Sequence, residues 1–374
     1  MAVVFSLFTP TMSGEVRKVL RPTSDPDEFC HVWIAELKIL SKRTAPDDFD
    51  GLIRKGMITL YDGLLQSNPV VSGSRAVGYF LKEGLQDVAA SAAPSEELMD
   101  IYKCPGNGAV VRTSKLTVAV NLSAISFPWV EPETSAINRA MKQIAEYSDI
   151  LLITDGSSAS ADKDVVDMYL NASKPVFAPQ GVLDDVSGVK HYSQKGERLN
   201  LTGNRVVVVK GMPAGEDTGT LVELRAESLV PLAVCTKWDA STVASLKDTI
   251  TTGGILITKA WADNFAALTE SVSPSSVISV GEHNLDVPYA ERGFMNVSAK
   301  ALKSCKASGK VLMIPGESWK MESQSSGIES TVYDDGSVHP RYYDMNGVEI
   351  RCPESFHGIY VEKKGNASRK LIRR

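Results

Sequence analysis

Asp149–Pro179, DILLITDGSSASADKDVVDMYLNASKPVFAP, is the stretch whose reading decides the fold. Ile150 to Ile153 is an apolar run closed by Thr154, Asp155 and Gly156, as expected of a strand buried on both faces that enters a turn. Asp162 can cap a helix in which Val165, Val166, Tyr169 and Leu170 form an apolar stripe at helical spacing. Lys174 and Pro175 end that helix, and Val176 to Ala178 can add a second strand. A strand-helix-strand unit of this length needs a crossover, so the two strands are expected to be parallel neighbours in an α/β layer.

The same plan recurs on the C-terminal side. Thr134 can cap the helix 135–147 that feeds the Ile150 strand, Ser241 can cap 242–250 ahead of Ile255 to Thr258, and Asn296 can cap 297–307 ahead of Val311 to Ile314. Val206 to Val209, Leu232 to Cys235 and Val277 to Val280 are further strand candidates, and Leu116 to Leu122 alternates like a half-buried strand. The fold class is therefore α/β, mixed α+β overall, with mostly parallel strands in the central domain.

With 374 residues the chain exceeds a usual single core, and composition shifts suggest five segments. Residues 1–24 read as an N-terminal arm with an apolar start, Ala2 to Phe8. Residues 25–108 read as a helical domain, with Phe29, Val32, Trp33, Leu37 and Leu40 at helical spacing and further helices over 49–65 and 75–90. Ser95 and Glu97 begin another, and Cys104 to Gly108 reads as a hinge. Residues 109–327 form the α/β domain. Residues 328–362 read as an antiparallel meander with turns at Asp335-Gly336 and Asn346-Gly347. Residues 363–374 form a basic tail.

Hydrophobic residues at 43% and charged residues at 23% describe an ordinary globular chain, and a net charge of −5 argues against a wholly basic nucleic-acid binder. No apolar run reaches membrane-spanning length and no signal peptide is expected at the start. The five cysteines are scattered without a Cys-x-x-Cys pair, which suits free thiols, and the expected location is cytoplasmic or within an assembled particle.

Functional motifs are sparse. No Gly-x-Gly-x-x-Gly, P-loop ending or Gly-x-Ser-x-Gly elbow is present, and Gly211 to Gly219 reads as a strand connection. Among the five histidines none has a second at three or four residues. The turn after the central strand resembles the metal-ion-dependent adhesion motif of the von Willebrand A fold, in which a strand ends in Asp-x-Ser-x-Ser. The resemblance covers about ten residues: Asp155 and Ser157 match its spacing, while Ala159, flanked by Ser158 and Ser160, stands at the second serine. It implies a Mg2+ ion held by Asp155 and Ser157, hard oxygen ligands for a hard cation. A Ser/Gly loop entering a helix can also receive phosphate. The bland alternative is an Asp/Ser turn satisfying its own backbone donors.

The last twelve residues hold Lys363, Lys364, Arg369, Lys370, Arg373 and Arg374 and no acid, a candidate contact for RNA or DNA phosphate. With few catalytic motifs, the leading expectation is a non-catalytic, self-assembling structural protein of viral coat, matrix or nucleocapsid type, needing no cofactor and partnered by itself and by nucleic acid. The alternative is an α/β enzyme or ligand-binding protein with a metal or phosphate site at the Asp155–Ser160 turn.

Overall fold

The central strand forms as β4 (Ile150–Leu152), joined through α5 (Lys163–Asn171) to β5 (Val176–Ala178), and the two strands are parallel with Leu151 opposite Val176. Asp162 caps α5 as expected, its side chain accepting from Asp164 N and Val165 N. The computed structural model describes residues 26–66, 71–91, 99–124, 134–203, 205–215, 218–226, 229–247, 249–250, 254–260, 262, 264–280, 295–321, 341–344, 358–364 and 367–373. The expected arm 1–24, the two hairpin turns and Arg374 lie outside them.

Three helices come first, α1 (Pro26–Lys42), α2 (Leu52–Gln66) and α3 (Val71–Ala90). Next come β1 (Met99–Lys103), β2 (Ala109–Arg112) and β3 (Thr117–Val120), then α4 (Thr134–Tyr147), which leads into β4. After β5 the chain forms β6 (Lys190–His191), β7 (Glu197–Leu201), β8 (Arg205–Pro213), β9 (Thr220–Ala226) and β10 (Leu229–Cys235). It continues through α6 (Ala240–Ser245), β11 (Ile255–Thr258), α7 (Phe265–Val272), β12 (Ser276–Ser279), α8 (Met295–Ser304), β13 (Gly309–Leu312) and β14 (Ser318–Met321).

These strands form two seven-stranded sheets, ordered β14-β1-β2-β3-β4-β5-β6 and β13-β12-β11-β10-β9-β8-β7. Each sheet is antiparallel up to its third or fourth consecutive strand and parallel beyond it, β3 to β6 in the first and β10 to β13 in the second. The sheets pack face to face. Val118, Val120, Ile150, Leu152 and Phe177 of one meet Leu232, Val234, Ile255, Ile257 and Ile278 of the other in a single apolar cluster. The alternate residues, Ala119, Leu151 and Val176 on one sheet and Ala233, Leu256 and Val277 on the other, join the helices in a second cluster. A strand whose two faces are both covered reads as a continuous apolar run, which is why Ile150–Ile153 was so visible.

Leu37, Met57 and Leu85 of α1 to α3 belong to that second cluster, and Met1–Met321 forms one compact unit, with Glu322–Arg374 a second. A buried ion pair fastens α2 to the turn between β13 and β14: Arg54 is fully buried and its Nη2 lies 2.6 Å from Glu317 Oε2. The same guanidinium donates to the Leu312 carbonyl, and Glu317 Oε2 accepts from Ile314 N at 2.8 Å.

Several sequence expectations need correction. The helix expected from Ser95 is instead strand β1, and the expected hinge at Cys104–Gly108 is a tight turn closed by Cys104 N to the Gly108 carbonyl at 3.0 Å. Residues of β3 are buried on both faces rather than half-buried, because helices cover the polar-looking face. The helix expected from Ser241 starts at Ala240 and is capped by Asp239. In the second unit, β15 (Arg341–Asp344), β16 (Gly358–Lys364) and β17 (Ala367–Arg373) make an antiparallel sheet in that order. The basic tail is thus largely a paired strand, with Lys370 opposite Val361 and Arg369 opposite Glu362.

Backbone approach sets one tight limit. A side chain at Gly254, just before β11, would run into the Pro231 carbonyl of β10. Gly254→Ala is expected to lower the unfolding free energy by about 2 kcal/mol or more, since overpacking forces backbone shifts. Denaturant unfolding of the variant checks this.

Candidate active site

The carboxyl ends of β4, β10 and β11 converge where the sheets meet, and a hydrogen-bond network there joins one sheet to the other. Asn121, which follows β3, sits in the left-handed region at φ 46°, a conformation asparagine tolerates better than most residues. Its Oδ1 accepts from Thr154 N at 2.9 Å, and its Nδ2 donates to Thr154 Oγ1 at 2.9 Å. Thr154 Oγ1 lies 2.5 Å from Thr236 Oγ1, beyond the end of β10, and Thr236 donates to Asp155 Oδ2 at 2.6 Å.

Asp155 is the focus of this network and is 1% exposed. Ser160 Oγ donates to its Oδ2 at 3.0 Å, and Asn107 Nδ2 donates to Ser160 Oγ at 2.8 Å. On the other oxygen, Ser157 donates from both its backbone N–H, at 2.9 Å, and its hydroxyl. Burial pushes the Asp155 carboxyl upward, but the Lys259 ammonium and the hydrogen bonds from Ser157 and Thr236 outweigh it and hold the group below the usual carboxylate range. Asp155 is therefore a buried, ionised carboxylate, costly to desolvate unless well partnered.

Asp162 closes the neighbouring space. Its Oδ1 takes the first N–H groups of α5, and its Oδ2 accepts from Ala124 N at 2.7 Å. The N-terminus of α5 is thus already occupied by a carboxylate, so the phosphate seat expected there lacks its donors.

An open cleft of about 540 Å³ adjoins the turn, lined among others by Gln180, His191, Tyr192, Gln194 and Thr218. Thr218 Oγ1 accepts from Gly156 N at 3.0 Å and so links the cleft wall to the Asp155 turn. His191 has its Nε2 at 3.3 Å from Asp184 and its Nδ1 at 3.1 Å from the Pro179 carbonyl. The cleft offers hydrogen-bonding groups and an aromatic face rather than a dense charge.

Among the described residues no three His, Cys, Asp or Glu side chains gather as ligands. Cys235 stands close in sequence to Thr236, but burial pushes its thiol well up and its Sγ faces the Lys237 carbonyl, so it supplies no thiolate. The donor set is one carboxylate and three hydroxyls. That chemistry fits a hard divalent cation and not a soft one. Ser157 is exposed and lies between the buried Asp155 carboxylate and solvent.

The structure thus brings Asp155 and Ser157 together, with Ser160 reaching the carboxylate from beyond the position at which Ala159 stands. Thr236 and Lys259 were missed, being far along the chain with no local motif. The basic candidates belong to the second unit, where Lys363 and Lys364 end β16, and Arg369, Lys370 and Arg373 lie in β17.

No known family description matches the sequence, and no curated protein matches it. Solved structures do show a similar arrangement of strands and helices. Igni18, a metallo hydrolase from the hyperthermophilic archaeon Ignicoccus hospitalis, is 11% identical, covers 60% of this chain and 98% of its own, and has a TM-score of 0.44. A possible metal-dependent hydrolase from Veillonella parvula is 12% identical over 60% of this chain and 100% of its own, with a TM-score of 0.44. The metallo-beta-lactamase fold protein YhfI from Bacillus subtilis is 10% identical over 59% of this chain and 99% of its own, with a TM-score of 0.39.

The fold corrects the leading expectation. A coat, matrix or nucleocapsid role rested on the scarcity of catalytic motifs together with an apolar arm and a cationic tail. The tail is mostly strand β17, paired along β16, and the arm is outside the described residues. The expectations of no cofactor and of a non-enzyme belonged to the same coat-protein reading and lose that support with it. At these identities and TM-scores the likeness assigns this chain no activity, and the choice of chemistry rests on its own residues. No helix among the described residues is long and apolar enough to cross a membrane.

Proposed function

We propose that the chain is an α/β enzyme or ligand-binding protein whose site lies at the carboxyl ends of β3, β4, β10 and β11, and that Asp155 there holds a hard divalent cation such as Mg2+. The supporting observation is the buried carboxylate of Asp155, kept ionised and met by the hydroxyls of Ser157, Ser160 and Thr236. Hydroxyl groups that donate to a carboxylate can rotate and present lone pairs to a cation instead. Mg2+ is commonly held by one or two carboxylates, with waters and ligand oxygens completing its shell. When bound, such a cation polarises a phosphoryl or carbonyl oxygen of the ligand.

The remaining residues bind and orient. Asn121 and Thr154 fix the Thr236 hydroxyl that points at Asp155, and Asn107 fixes Ser160. The Gly156–Thr218 contact keeps the turn against the cleft, where Gln180, His191 and Gln194 can receive the polar parts of the ligand. The open ends of strands, where a parallel arrangement leaves a crevice, are the usual place for such a site.

A thermal shift titration with Mg2+ tests the reading. Saturating Mg2+ is expected to raise the melting temperature of the wild-type chain by about 2–4 °C and to leave Asp155→Asn unmoved, since a ligand that binds only the folded state stabilises it. An unchanged wild-type melting temperature overturns the reading.

A further inference from the structure

The cleft of about 540 Å³ beside the Asp155 turn is bordered by two strand ends of the first sheet. β5 and β6 are parallel neighbours, and Gln180 follows the carboxyl end of β5 as Gln194 follows that of β6. Both glutamines are exposed, and among the described residues neither carboxamide has a hydrogen-bond partner. Each therefore offers free donors and a free acceptor to whatever enters the cleft.

The rest of the lining restricts what that is. Among the described residues no Asp, Glu, Lys or Arg lines the cleft, so no fixed charge there selects an ionic group. His191 has committed both ring nitrogens, Nδ1 at 3.1 Å from the Pro179 carbonyl and Nε2 at 3.3 Å from Asp184. Tyr192 donates its hydroxyl to the Phe177 carbonyl at 3.3 Å and stacks on the Phe177 ring at 5.8 Å. These two side chains, with Pro179 and Pro213, leave carbon surface to the cleft. A peptide would need a sheet edge to pair with, and β6 is only two residues long.

We propose that the cleft takes a neutral, polyhydroxylated group of the saccharide kind, the two carboxamides bonding its hydroxyls and the proline and aromatic carbons lying against its C–H face. A hydroxyl, like a carboxamide, both donates and accepts, so neighbouring sugar hydroxyls answer each glutamine without leaving a polar group unpaired. The same carboxamides discriminate against a ligand without hydroxyls, because they lose water there and gain no partner. This deepens the reading of the cleft as the ligand site and rests on it. The saccharide directs its attached phosphoryl or carbonyl group toward the Asp155 turn, which the Gly156–Thr218 contact joins to the cleft wall.

Saturation-transfer difference NMR with the methyl glycosides of glucose, galactose, mannose and N-acetylglucosamine tests this, with N-acetylalanine methylamide and adenosine as comparison ligands. The wild type is expected to transfer saturation to at least one glycoside and to neither comparison ligand. Gln180→Ala and Gln194→Ala, both at exposed positions, are each expected to weaken that glycoside's binding about three- to tenfold, the usual effect of one hydrogen bond. No transfer to any glycoside, transfer of equal or greater strength to a comparison ligand, or a glycoside that either variant binds as tightly as the wild type overturns the proposal. The melting temperature of the same samples with and without Mg2+ separates the two readings. A rise without glycoside binding overturns the saccharide and leaves the cation standing; glycoside binding without a rise supports the saccharide and overturns the cation.

Discussion

Replacing Arg54 by alanine is expected to destabilise the protein by about 3–5 kcal/mol, the largest effect of any single substitution considered. The guanidinium is fully buried and bridges Glu317 and the Leu312 carbonyl, so removing it strands a carboxylate that is itself only 7% exposed. Leaving one partner of a buried ion pair uncompensated is what carries that cost. Ser41 Oγ and Ile314 N also donate to Glu317, at 2.7 and 2.8 Å, and cannot replace the lost charge. The double variant Arg54→Met, Glu317→Gln, which removes both charges, is expected to recover a substantial part of the loss. Urea unfolding of the three proteins measures this. A loss below about 1 kcal/mol in Arg54→Ala would show that water reaches Glu317 and that α2 is fastened to the β13–β14 turn by other means.

Asp155→Ala is the second large change, expected to cost about 3 kcal/mol at neutral pH and to remove any response to Mg2+. Three hydroxyls and one backbone N–H lose their common acceptor, and hydrogen bonds to a charged group are the stronger kind. The sign of the pH dependence follows from the direction of the shift. The folded-state pKa of Asp155 lies below its ordinary value of 3.8, so the unfolded chain binds the proton more readily. The stabilisation is thus whole above that ordinary value and is lost as pH falls through the folded pKa. The stability difference between wild type and Asp155→Asn is expected to be constant from pH 7 to about 5 and to shrink in more acid solution. A difference that grows on acidification would mean that Asp155 is protonated in the folded state.

Much of the parallel half of each sheet was legible in the sequence, for a physical reason. Strands covered on both faces must be apolar throughout, so Ile150–Ile153, Leu232–Cys235 and Ile255–Thr258 stood out, and Asp162 announced α5 by its capping chemistry. The antiparallel strands were harder to see. Asp100 and Lys103 in β1 and Glu223 in β9 are buried polar groups that interrupt the apolar pattern. Lys103 Nζ satisfies itself on the Gly106 carbonyl at 2.8 Å, a partner available only once the β1–β2 turn has formed. Helix α7 begins at Asn264 in the left-handed region, with no side-chain capping bond to signal it.

The site was half legible. Asp155 and Ser157 follow one another in a turn, and their chemistry shows at once. Thr236 lies 81 residues beyond Asp155 and comes to it only because the second sheet packs on the first. Lys259 enters for the same reason, after an apolar strand that carries no motif. Asn121 fell inside the strand expected over Leu116 to Leu122, so the left-handed turn that lets its side chain reach back to Thr154 carried no signal of its own. The cationic residues of β16 and β17 illustrate the converse, since charge composition alone suggested a free tail where the backbone pairs as a strand.

The most direct measurement is an electron paramagnetic resonance titration of Mn2+, a hard cation that reports its own free concentration, into the wild-type protein and Asp155→Asn. The account predicts one bound Mn2+ per wild-type chain, displaced by Mg2+, and none bound by the variant. Free Mn2+ throughout the wild-type titration, or binding of equal strength in Asp155→Asn, would contradict a cation site at Asp155.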